Sequence, residues 1–316
     1  MWQRDERDPR PVEVFTRPGP HDAGIPAGPI WRILMNRPLR ATTLAGAAAT
    51  LVVGVAVAGV STLPAGASSG TSNTAAVGLS SDGLRLAEFK TLVPGTSRKS
   101  VAITGLVGDA KLIGIDQRVA NGLLYGVGDA GGVYTLRGAK ATKVSQLTVA
   151  LQGTAFDVDF NPAADRLRII SNAGQSLRHN VVPDGVTAVD GSTAYTPGVI
   201  TTGLQASAYT NNDVNGDTAT TLYNIDAALD QLVMQVPANS GSLVAVGKLG
   251  IDLVSATGFD IDTELAGTKA DENTAYLIGT PVGGVPTLYT INLLTGSVEE
   301  VGDFGTDIID LAVVQG

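Results

Sequence analysis

The amino-acid sequence predicts an all-β protein, a β-propeller of five blades, from three observations. The 316-residue chain contains 39 Gly, and its apolar residues, mostly Val, Ile, Leu and Ala, occur in short runs separated by Gly, Asn, Asp and Pro. This composition is typical of many strands joined by tight turns. A strand–turn–strand pattern recurs at intervals of about fifty residues. The two ends of the region that contains these repeats supply complementary parts of one further repeat.

The repeat is an apolar strand that ends in an acidic or amide residue, followed by a polar turn and a second apolar strand. It occurs four times, and the residues that align at the end of the first strand are Asp116, Asp159, Asn212 and Asp262, with spacings of 43, 53 and 50 residues. Repeats of this length with four strands each are the signature of propeller blades. The remaining strands of each repeat are joined by hairpin dipeptides such as Asn121-Gly122 and Thr295-Gly296.

The ends of the repeat region predict how the ring closes. Residues 75–79, 84–89 and 100–106 have the pattern of the second, third and fourth strands of a blade that lacks its first strand. Residues 307–314 have the pattern of a first strand that lacks its blade. Joining them makes a fifth blade and removes the exposed strand edges. A β-sandwich, the alternative architecture, does not explain these complementary halves.

The N-terminal part of the sequence predicts an export signal. Residues 41–60 carry no charge and follow Arg37 and Arg40, and a run of this length can enter or span a membrane. Residues 63–67 end in the small-x-small pattern of a signal peptidase site. We expect a signal helix and cleavage after Ala67, with an uncleaved signal anchor as the alternative. The predicted organisation is a disordered or misassigned extension at 1–34, a signal peptide at 35–67 that starts at Met35, a linker at 68–75 and the propeller at 76–316.

The predicted mature chain is acidic and poor in reactive side chains. Cys is absent, which excludes disulfides and thiolate sites, and the only imidazoles in the whole sequence are His21 and His179. We expect His179 to be a surface or turn residue, and no Ser lies in a nucleophile elbow. Without residues 1–67 the chain has 14 basic and 25 acidic residues, a formal charge of −11. That charge repels phosphate, so nucleic acid is not an expected partner.

The densest group of polar side chains lies in the second complete repeat. The candidate ligand-binding residues are Asp157, Asp159, Arg166, Arg168, Asn172 and Arg178. One interpretation is a site for an anionic or hydroxylated ligand. We favour the other, an internal ion pair of Arg168 or Arg178 with Asp157 or Asp159, because a buried guanidinium requires an acceptor.

Acidic residues also occur near the ends of the strands predicted to be innermost. They are Asp116, Asp157, Asp159, Asp260, Asp262 and Asp310. A carboxylate-based glycoside hydrolase or lyase would place two such residues in a central channel as acid and as nucleophile or base. Capping of the following turn explains their positions without chemistry, and we favour that interpretation.

A calcium loop is the one cofactor site that the sequence suggests. Asp213, Asn215 and Asp217 are spaced like the first ligands of such a loop, but Asn224 stands where a bidentate Glu belongs. We favour a hairpin turn for this segment. Apart from calcium we expect no cofactor.

The run FDVDFNPAADRLRIISNAGQSLRHN (156–180), with VAITGL, LIGIDQR, LYGV and TTLYNID around it, resembles a family of secreted bacterial proteins known as domain of unknown function DUF4394. The resemblance covers residues 76–316 and implies an extracytoplasmic, propeller-like fold. It implies no activity, substrate or catalytic residues.

Our leading hypothesis is a non-enzymatic extracellular propeller that binds an unknown ligand or protein partner on one face. We expect a monomer that contacts the membrane only through its N-terminal segment, if that segment stays uncleaved. The alternatives are the glycoside hydrolase or lyase and a purely structural envelope protein.

Overall fold

The computed structural model describes residues 73–95 and 99–315. In these residues the chain forms twenty β-strands and a short 3-10 turn at Ala238–Ser240, and the strands make five four-stranded antiparallel sheets. The all-β propeller of five blades predicted from the sequence is confirmed. The predicted extension, signal helix and signal peptide lie outside the described residues. No helix in the described part of the chain is long and apolar enough to cross a membrane.

Each blade is an antiparallel sheet with one strand nearest the propeller axis. Blade 1 contains β1 (Ala75–Ser80), β2 (Arg85–Lys90), β3 (Lys99–Ala102) and, innermost, β20 (Ile308–Val314). Blade 2 contains β4 (Leu112–Arg118), β5 (Leu123–Gly128), β6 (Gly132–Arg137) and β7 (Lys140–Gln146). Blade 3 contains β8 (Phe156–Asn161), β9 (Arg166–Ser171), β10 (Ser176–His179) and β11 (Thr187–Val189). Blade 4 contains β12 (Leu204–Tyr209), β13 (Leu222–Asp226), β14 (Gln231–Gln235) and β15 (Leu243–Lys248). Blade 5 contains β16 (Leu253–Ala266), β17 (Lys269–Pro281), β18 (Thr287–Ile291) and β19 (Val298–Asp303).

Blade 1 is completed by strands from both ends of the repeat region. β20 pairs antiparallel with β1, from Ile308 opposite Ser80 to Val314 opposite Ala75. β20 also packs against β4 and β16, and β4, β8, β12 and β16 pack against one another in turn. The five innermost strands therefore form a closed ring. The closure predicted from the two half-repeats is confirmed.

The apolar core lies between neighbouring blades. Blades 2 and 3 share a cluster in which the rings of Tyr125 and Phe160 meet edge to face, with centroids 5.1 Å apart. Blades 4 and 5 share a second cluster that includes Ile225, Phe259 and Leu277. Because both faces of a blade are covered, strands such as β13 and β17 bury runs of consecutive residues. β8 also buries consecutive residues, although its apolar residues alternate with Asp157 and Asp159.

Glycine allows the innermost strands to approach β20 closely. A Cβ at Gly114 of β4 would lie 2.7 Å from Val158 Cγ2 and 2.8 Å from Asp310 Oδ2. A Cβ at Gly258 of β16 would lie 2.8 Å from Cβ of Leu311. These separations are shorter than van der Waals contact, so a larger residue would push the strands apart. The narrow axis that results brings side chains from different blades together.

Candidate functional site

Carboxylates from four of the five innermost strands meet at the propeller axis. They belong to Asp116 of β4, Asp157 and Asp159 of β8, Asp260 of β16 and Asp310 of β20, and none exposes more than 6% of its surface. Asp262 of β16 is also buried, but it accepts from the hydroxyl of Thr74 at 2.9 Å. In residues 73–95 and 99–315, Lys and Arg form ion pairs with other acids. None of these ion pairs includes a carboxylate at the axis. The axis therefore holds buried acid without a basic partner from the described chain.

These carboxylates bind the backbone of the next blade. Hydrogen bonds between blades run from Phe160 N–H to Asp116, from Ile115 N–H to Asp310, from Val313 N–H to Asp260, all at 2.6–2.7 Å, and from Ser207 N–H to Asp157. Asp116, Asp260 and Asp310 also accept from the next N–H of their own strand. The sequence favoured turn capping as the role of these acidic residues. That interpretation is wrong for Asp116, Asp157, Asp260 and Asp310, because their carboxylates connect neighbouring innermost strands.

Blade 4 supplies a hydroxyl instead of a carboxylate. Asn212, which the sequence repeat aligns with Asp116, lies beyond the end of β12 at Tyr209, and its side chain donates to the carbonyl of Ile261 at 2.8 Å. The alignment was wrong in this repeat because an irregular segment, rather than a tight turn, follows β12. Within β12 the fully buried polar residue next to Asp157 is Ser207.

Burial dominates the acid–base behaviour of five of these residues, which we call the central carboxylates: Asp116, Asp157, Asp159, Asp260 and Asp310. Removal from water raises the pKa of Asp157 and Asp260 to about 7. Removal from water and repulsion by neighbouring carboxylates raise the pKa of Asp116, Asp159 and Asp310 well above the ordinary value. Asp157 lies close to the carboxyl of Asp310, and repulsion by Asp157 adds to the rise in the pKa of Asp310.

An open pocket lies above the central carboxylates, where the innermost strands begin. This axial pocket has a volume of about 270 Å³ and is lined by Ser81, Lys111, Ile113, Thr154, Ala155, Phe156, Gln205, Ser255, Ala256, Thr257 and Ile309. Asp116, Asp159 and Asp260 follow lining residues of their own strands by three positions, which is about 10 Å along a strand. The pocket and the central carboxylates are therefore stacked along the axis.

The axial pocket offers hydrogen-bonding groups that are not used elsewhere in the described chain. Gln205 Oε1 accepts from Ala256 N–H at 2.9 Å, which leaves its amide N–H groups available. Ser81, Ser255 and Lys111 have no side-chain hydrogen bond or ion pair to any described residue. None of the residues that line this pocket is acidic.

Three grooves in the described part of the chain are larger than the axial pocket. One of about 380 Å³ lies at the opposite end of the innermost strands, where Gln117, Asn212, Leu265 and Gln315 line it, and β8 does not contribute. The other two lie away from the axis. One of about 440 Å³ runs along the outer edge of blades 2 and 3, and another of about 430 Å³ lies beside the segment that leads into blade 4. Each of these two is formed by one or two neighbouring segments of the chain. The axial pocket differs because all five innermost strands contribute to it, and this convergence makes it the candidate ligand site.

The polar cluster predicted in blade 3 contains an internal ion pair, in which Arg168 pairs with Asp190. Arg168 is 1% exposed. It donates to Asp190 at 2.5 Å, to Ser176 Oγ and Asn239 Oδ1 at 2.9 Å, and to the hydroxyl of Tyr209 at 3.1 Å. An internal ion pair was expected with Asp157 or Asp159, and that partner was wrong: Asp190, from the segment after β11, is used instead. The sequence cue is the dipeptide Asp190-Gly191, which by itself predicts only a turn.

The other residues of this cluster do not converge on a common point. Arg178 donates to both oxygens of Asp190 at 2.7 and 2.9 Å. Arg166 donates to the carbonyls of Ala164 and Asp165, and Asn172 accepts from the N–H groups of Thr154 and Ala155. Of the six candidate residues, Asp157 and Asp159 lie at the axis, and the four others support turns or the contact between blades 3 and 4.

Replacing Asp190 with Ala is expected to lower the free energy of unfolding by about 3 kcal/mol, because it leaves the buried Arg168 guanidinium without a counter-charge. The matched variant Arg178→Ala removes the other partner of the same carboxylate. Because the Arg178 side chain is 35% exposed, its loss is expected to cost about 1 kcal/mol or less. Urea denaturation of both variants measures the difference. Equal destabilisation would contradict the assigned role of Arg168.

In the predicted calcium loop, the side chains of Asp213 and Asn215 accept hydrogen bonds from backbone N–H groups. Asp213 Oδ1 accepts from Asn215 N–H at 2.9 Å, and Asn215 Oδ1 accepts from Asp217 N–H at 3.1 Å. Asp213 Oδ2 accepts from Ala270 N–H at 2.7 Å. Successive side chains thus cap backbone N–H groups, which is the turn geometry that the sequence favoured. Calcium binding at Asp213, Asn215 and Asp217 stays a prediction.

His179 belongs to a buried hydrogen-bond chain and not to the surface. It is fully buried on β10, and its ring nitrogens lie 2.8 Å from Ser145 Oγ and 3.0 Å from Thr187 Oγ1. Ser145 donates its own proton to the carbonyl of Val182 at 2.8 Å, so the imidazole is not placed to accept that proton. The expectation of a surface or turn residue was wrong, and the arrangement does not make Ser145 a nucleophile.

The central carboxylates do not have the geometry that glycoside hydrolysis requires. A catalytic pair must face an open cleft at separations of about 5–10 Å. Asp116, Asp159 and Asp260 instead bring oxygens within 4.8 Å of one another, at sites that expose 3–6% of their surface. A sugar ring does not reach carboxylates that are buried in this way.

Comparison with known proteins places the chain in a family. A search of curated proteins found no significant match. Similar solved structures include a structural genomics protein of unknown function from Bacteroides thetaiotaomicron, with 13% identity and a TM-score of 0.49, covering 77% of this chain and 64% of that one. Auxiliary nutrient binding proteins from Bacteroides thetaiotaomicron and Bacteroides ovatus match with 12% and 14% identity and TM-scores of 0.38 and 0.39. They cover 64% and 63% of this chain and 55% and 52% of their own.

This chain spans less than two thirds of the length of each of those three proteins. The match to a family model runs from residue 85 to residue 312, more than half of the chain, and takes in strands of all five blades. The resemblance noted in the sequence is thereby confirmed. The chain belongs to the family described as domain of unknown function DUF4394.

Proposed function

We propose that this protein is an extracytoplasmic, non-enzymatic binding propeller whose ligand enters the axial pocket. The convergence of all five innermost strands on this pocket supports the proposal. Sites of this kind, concave and lined by apolar surface with a few polar groups, are the usual places where proteins bind small molecules. At about 270 Å³ the pocket is smaller than most drug-sized sites, which span about 300–1000 Å³. It therefore suits a small ligand.

The extracytoplasmic location rests on the sequence. The uncharged run at 41–60 and the small-x-small pattern at 63–67 are typical of an export signal. The absence of Cys from the whole sequence means that the fold does not depend on the redox state of its compartment.

The lining of the axial pocket favours a hydroxylated anion. Ser81 and Ser255 offer hydroxyls, Gln205 offers amide N–H donors, and Phe156 offers an apolar ring. Lys111 supplies a cation at the edge of the pocket, and no acid in the lining opposes it. We therefore assign the ligand to the class of small sugar acids, in which hydroxyls accompany one carboxylate.

Replacing Lys111 with Ala is expected to weaken binding of a sugar acid about tenfold, because one charge-assisted hydrogen bond contributes roughly 1.5 kcal/mol. Glucuronate and galacturonate are the probes, with glucose and galactose as neutral counterparts, and isothermal titration measures the affinities. The matched control Lys140→Ala removes an exposed Lys on the outer strand of blade 2 and should leave binding unchanged. Ser255→Tyr, which fills the pocket, should abolish it.

Three results would overturn the proposal. The first is the absence of binding of any of the four sugars to the wild-type protein. The second is equal binding of neutral and acidic sugars with no effect of Lys111→Ala, which removes the anionic class. The third is full binding by Ser255→Tyr, which removes the axial pocket as the site.

A further inference from the structure

We propose that the propeller axis holds one divalent cation of the calcium type, bound by Asp116, Asp159 and Asp260. These residues come from β4, β8 and β16, and therefore from three different blades. Each offers a carboxylate oxygen within 4.8 Å of the other two. Three points at this spacing share a centre no more than about 2.8 Å from each, close to the Ca²⁺–O distance of about 2.3–2.6 Å.

Buried oxygens without hydrogen-bond donors are a second indication of a cation. Asp159 Oδ1 and Asp157 Oδ1 have no partner in the described chain, although their residues are only 4% and 2% exposed. The hydroxyl oxygen of Ser207, on the blade that lacks a carboxylate, is also buried without a partner among the described residues. A buried acceptor that lacks a donor costs about 1–3 kcal/mol, and more when it is charged. Coordination of a cation removes that cost.

The charge balance points the same way. Five central carboxylates lie together, and the described part of the chain brings no Lys or Arg into contact with them. Buried charge of one sign is otherwise tolerated only by taking up protons. A divalent cation neutralises two of these five carboxylates.

The type of ligand atom favours Ca²⁺ over other divalent ions. Every candidate ligand atom is oxygen, which favours a hard cation over zinc or copper. Mg²⁺ requires oxygens at about 2.0–2.1 Å in a near-ideal octahedron and keeps several waters, which the narrow axis does not favour. Ca²⁺ accepts irregular geometry with longer bonds, which suits carboxylates supplied by three different strands.

The experiment measures metal content and thermal stability of the purified full-length protein near neutral pH. Elemental analysis should find about one Ca²⁺ per chain. After treatment with chelator, adding CaCl₂ should raise the melting temperature by several degrees, because a ligand that binds only the folded state stabilises it. Isothermal titration with CaCl₂, and separately with MgCl₂ and MnCl₂, gives the affinity for each ion.

Asp159→Asn is the test variant, because the amide is isosteric and one oxygen of Asp159 has no hydrogen-bond donor to lose. We expect it to bind Ca²⁺ at least tenfold more weakly and to lose the calcium-dependent rise in melting temperature. In chelator it should fold and melt no lower than the wild type, since the amide keeps the shape of the buried carboxyl and does not repel the neighbouring carboxylates. Asp213→Asn, at the loop that the sequence proposed for calcium, is the matched control and should keep both the affinity and the rise.

Each outcome decides for or against the site. A wild-type protein with no bound metal and an unchanged melting temperature in all three ions would overturn the proposal. So would loss of calcium binding in Asp213→Asn but not in Asp159→Asn. Tighter binding of Mg²⁺ or Mn²⁺ than of Ca²⁺ would overturn the assignment of the ion.

Discussion

Deleting residues 308–316 is expected to unfold the whole propeller and not only blade 1. The deletion removes β20, whose side chains Ile308, Leu311 and Val313 are buried in the cluster shared by blades 1 and 5. Three such side chains at about 1.5–3 kcal/mol each amount to roughly 5–9 kcal/mol, and the hydrogen bonds between β20 and β1 are lost as well. The net stability of a typical domain is about 5–15 kcal/mol. The loss therefore consumes most or all of the stability of the fold.

The deletion also removes hydrogen bonds that connect β20 to the innermost strands of blades 2 and 5. It removes the Asp310 carboxylate that accepts from Ile115, and it leaves the Asp260 oxygen that binds Val313 N–H without its donor. Blades 2 and 5 then present unpaired polar groups next to an exposed edge of β1. Circular dichroism and thermal melting measure the result.

The control for this deletion removes only residues 315–316. That variant loses the hydrogen bond from Gln315 N–H to Gln117 Oε1 at 2.7 Å but keeps β20. It should lose about 1 kcal/mol. A synthetic peptide of residues 306–316 added to the longer deletion should restore folding, because it replaces the missing strand. A cooperative, near-native melt of the longer deletion without peptide would contradict ring closure as the source of stability.

The architecture was predictable because a propeller repeats its pattern. Each blade needs four short strands, so the sequence returns to apolar runs and turn dipeptides about every fifty residues. The half-repeats at the two ends have one simple explanation, which is their pairing as β20 and β1. The alignment failed in blade 4, at Asn212, since an irregular segment after β12 lengthens that repeat. It also failed in blade 5, where Asp260 rather than the aligned Asp262 lies beside Asp116 and Asp159.

The site was less predictable because it depends on which strand faces which. Sequence spacing showed that Asp157, Asp159 and Arg168 are close along the chain, but not that Arg168 pairs with Asp190 between blades 3 and 4 while the two acids lie at the axis. Ser207 and Gln205 carry no motif at all. They become site residues only because the ring places β12 between β8 and β16.

Raising the pH of the metal-free protein from about 5 to about 8 is expected to reduce its free energy of unfolding by several kcal/mol. Burial raises the pKa of Asp157 and Asp260 to about 7 in the folded state, whereas an unfolded Asp titrates near 3.9. Between those values the folded state holds protons that the unfolded state has released. Stability therefore falls with rising pH, by about 1.4 kcal/mol per pH unit for each such group. This contribution is complete below about pH 4 and is lost above about pH 7.

Lowering the pH has the opposite effect on the ion pair of Arg118 and Asp165, because it weakens the contribution of this pair to stability. The guanidinium of Arg118 holds the pKa of Asp165 below its usual value, so this pair stabilises the fold above about pH 4 and weakens as pH falls further. The greatest stability of the metal-free protein is thus expected near pH 4–5, where both contributions are largely present.

Urea denaturation in chelator at about pH 5 and about pH 8 tests this expectation, with Asp260→Asn as the diagnostic variant. Its amide does not ionise, so its stability should fall less steeply with pH, whatever its absolute stability. Asp271→Asn, an exposed Asp on β17, should keep the wild-type slope. Two results would contradict protonation of the buried carboxylates. One is a free energy of unfolding that changes with pH equally in Asp260→Asn and in the wild type. The other is a wild type that becomes more stable toward pH 8. A flat profile would mean that the axis stays hydrated enough to ionise freely.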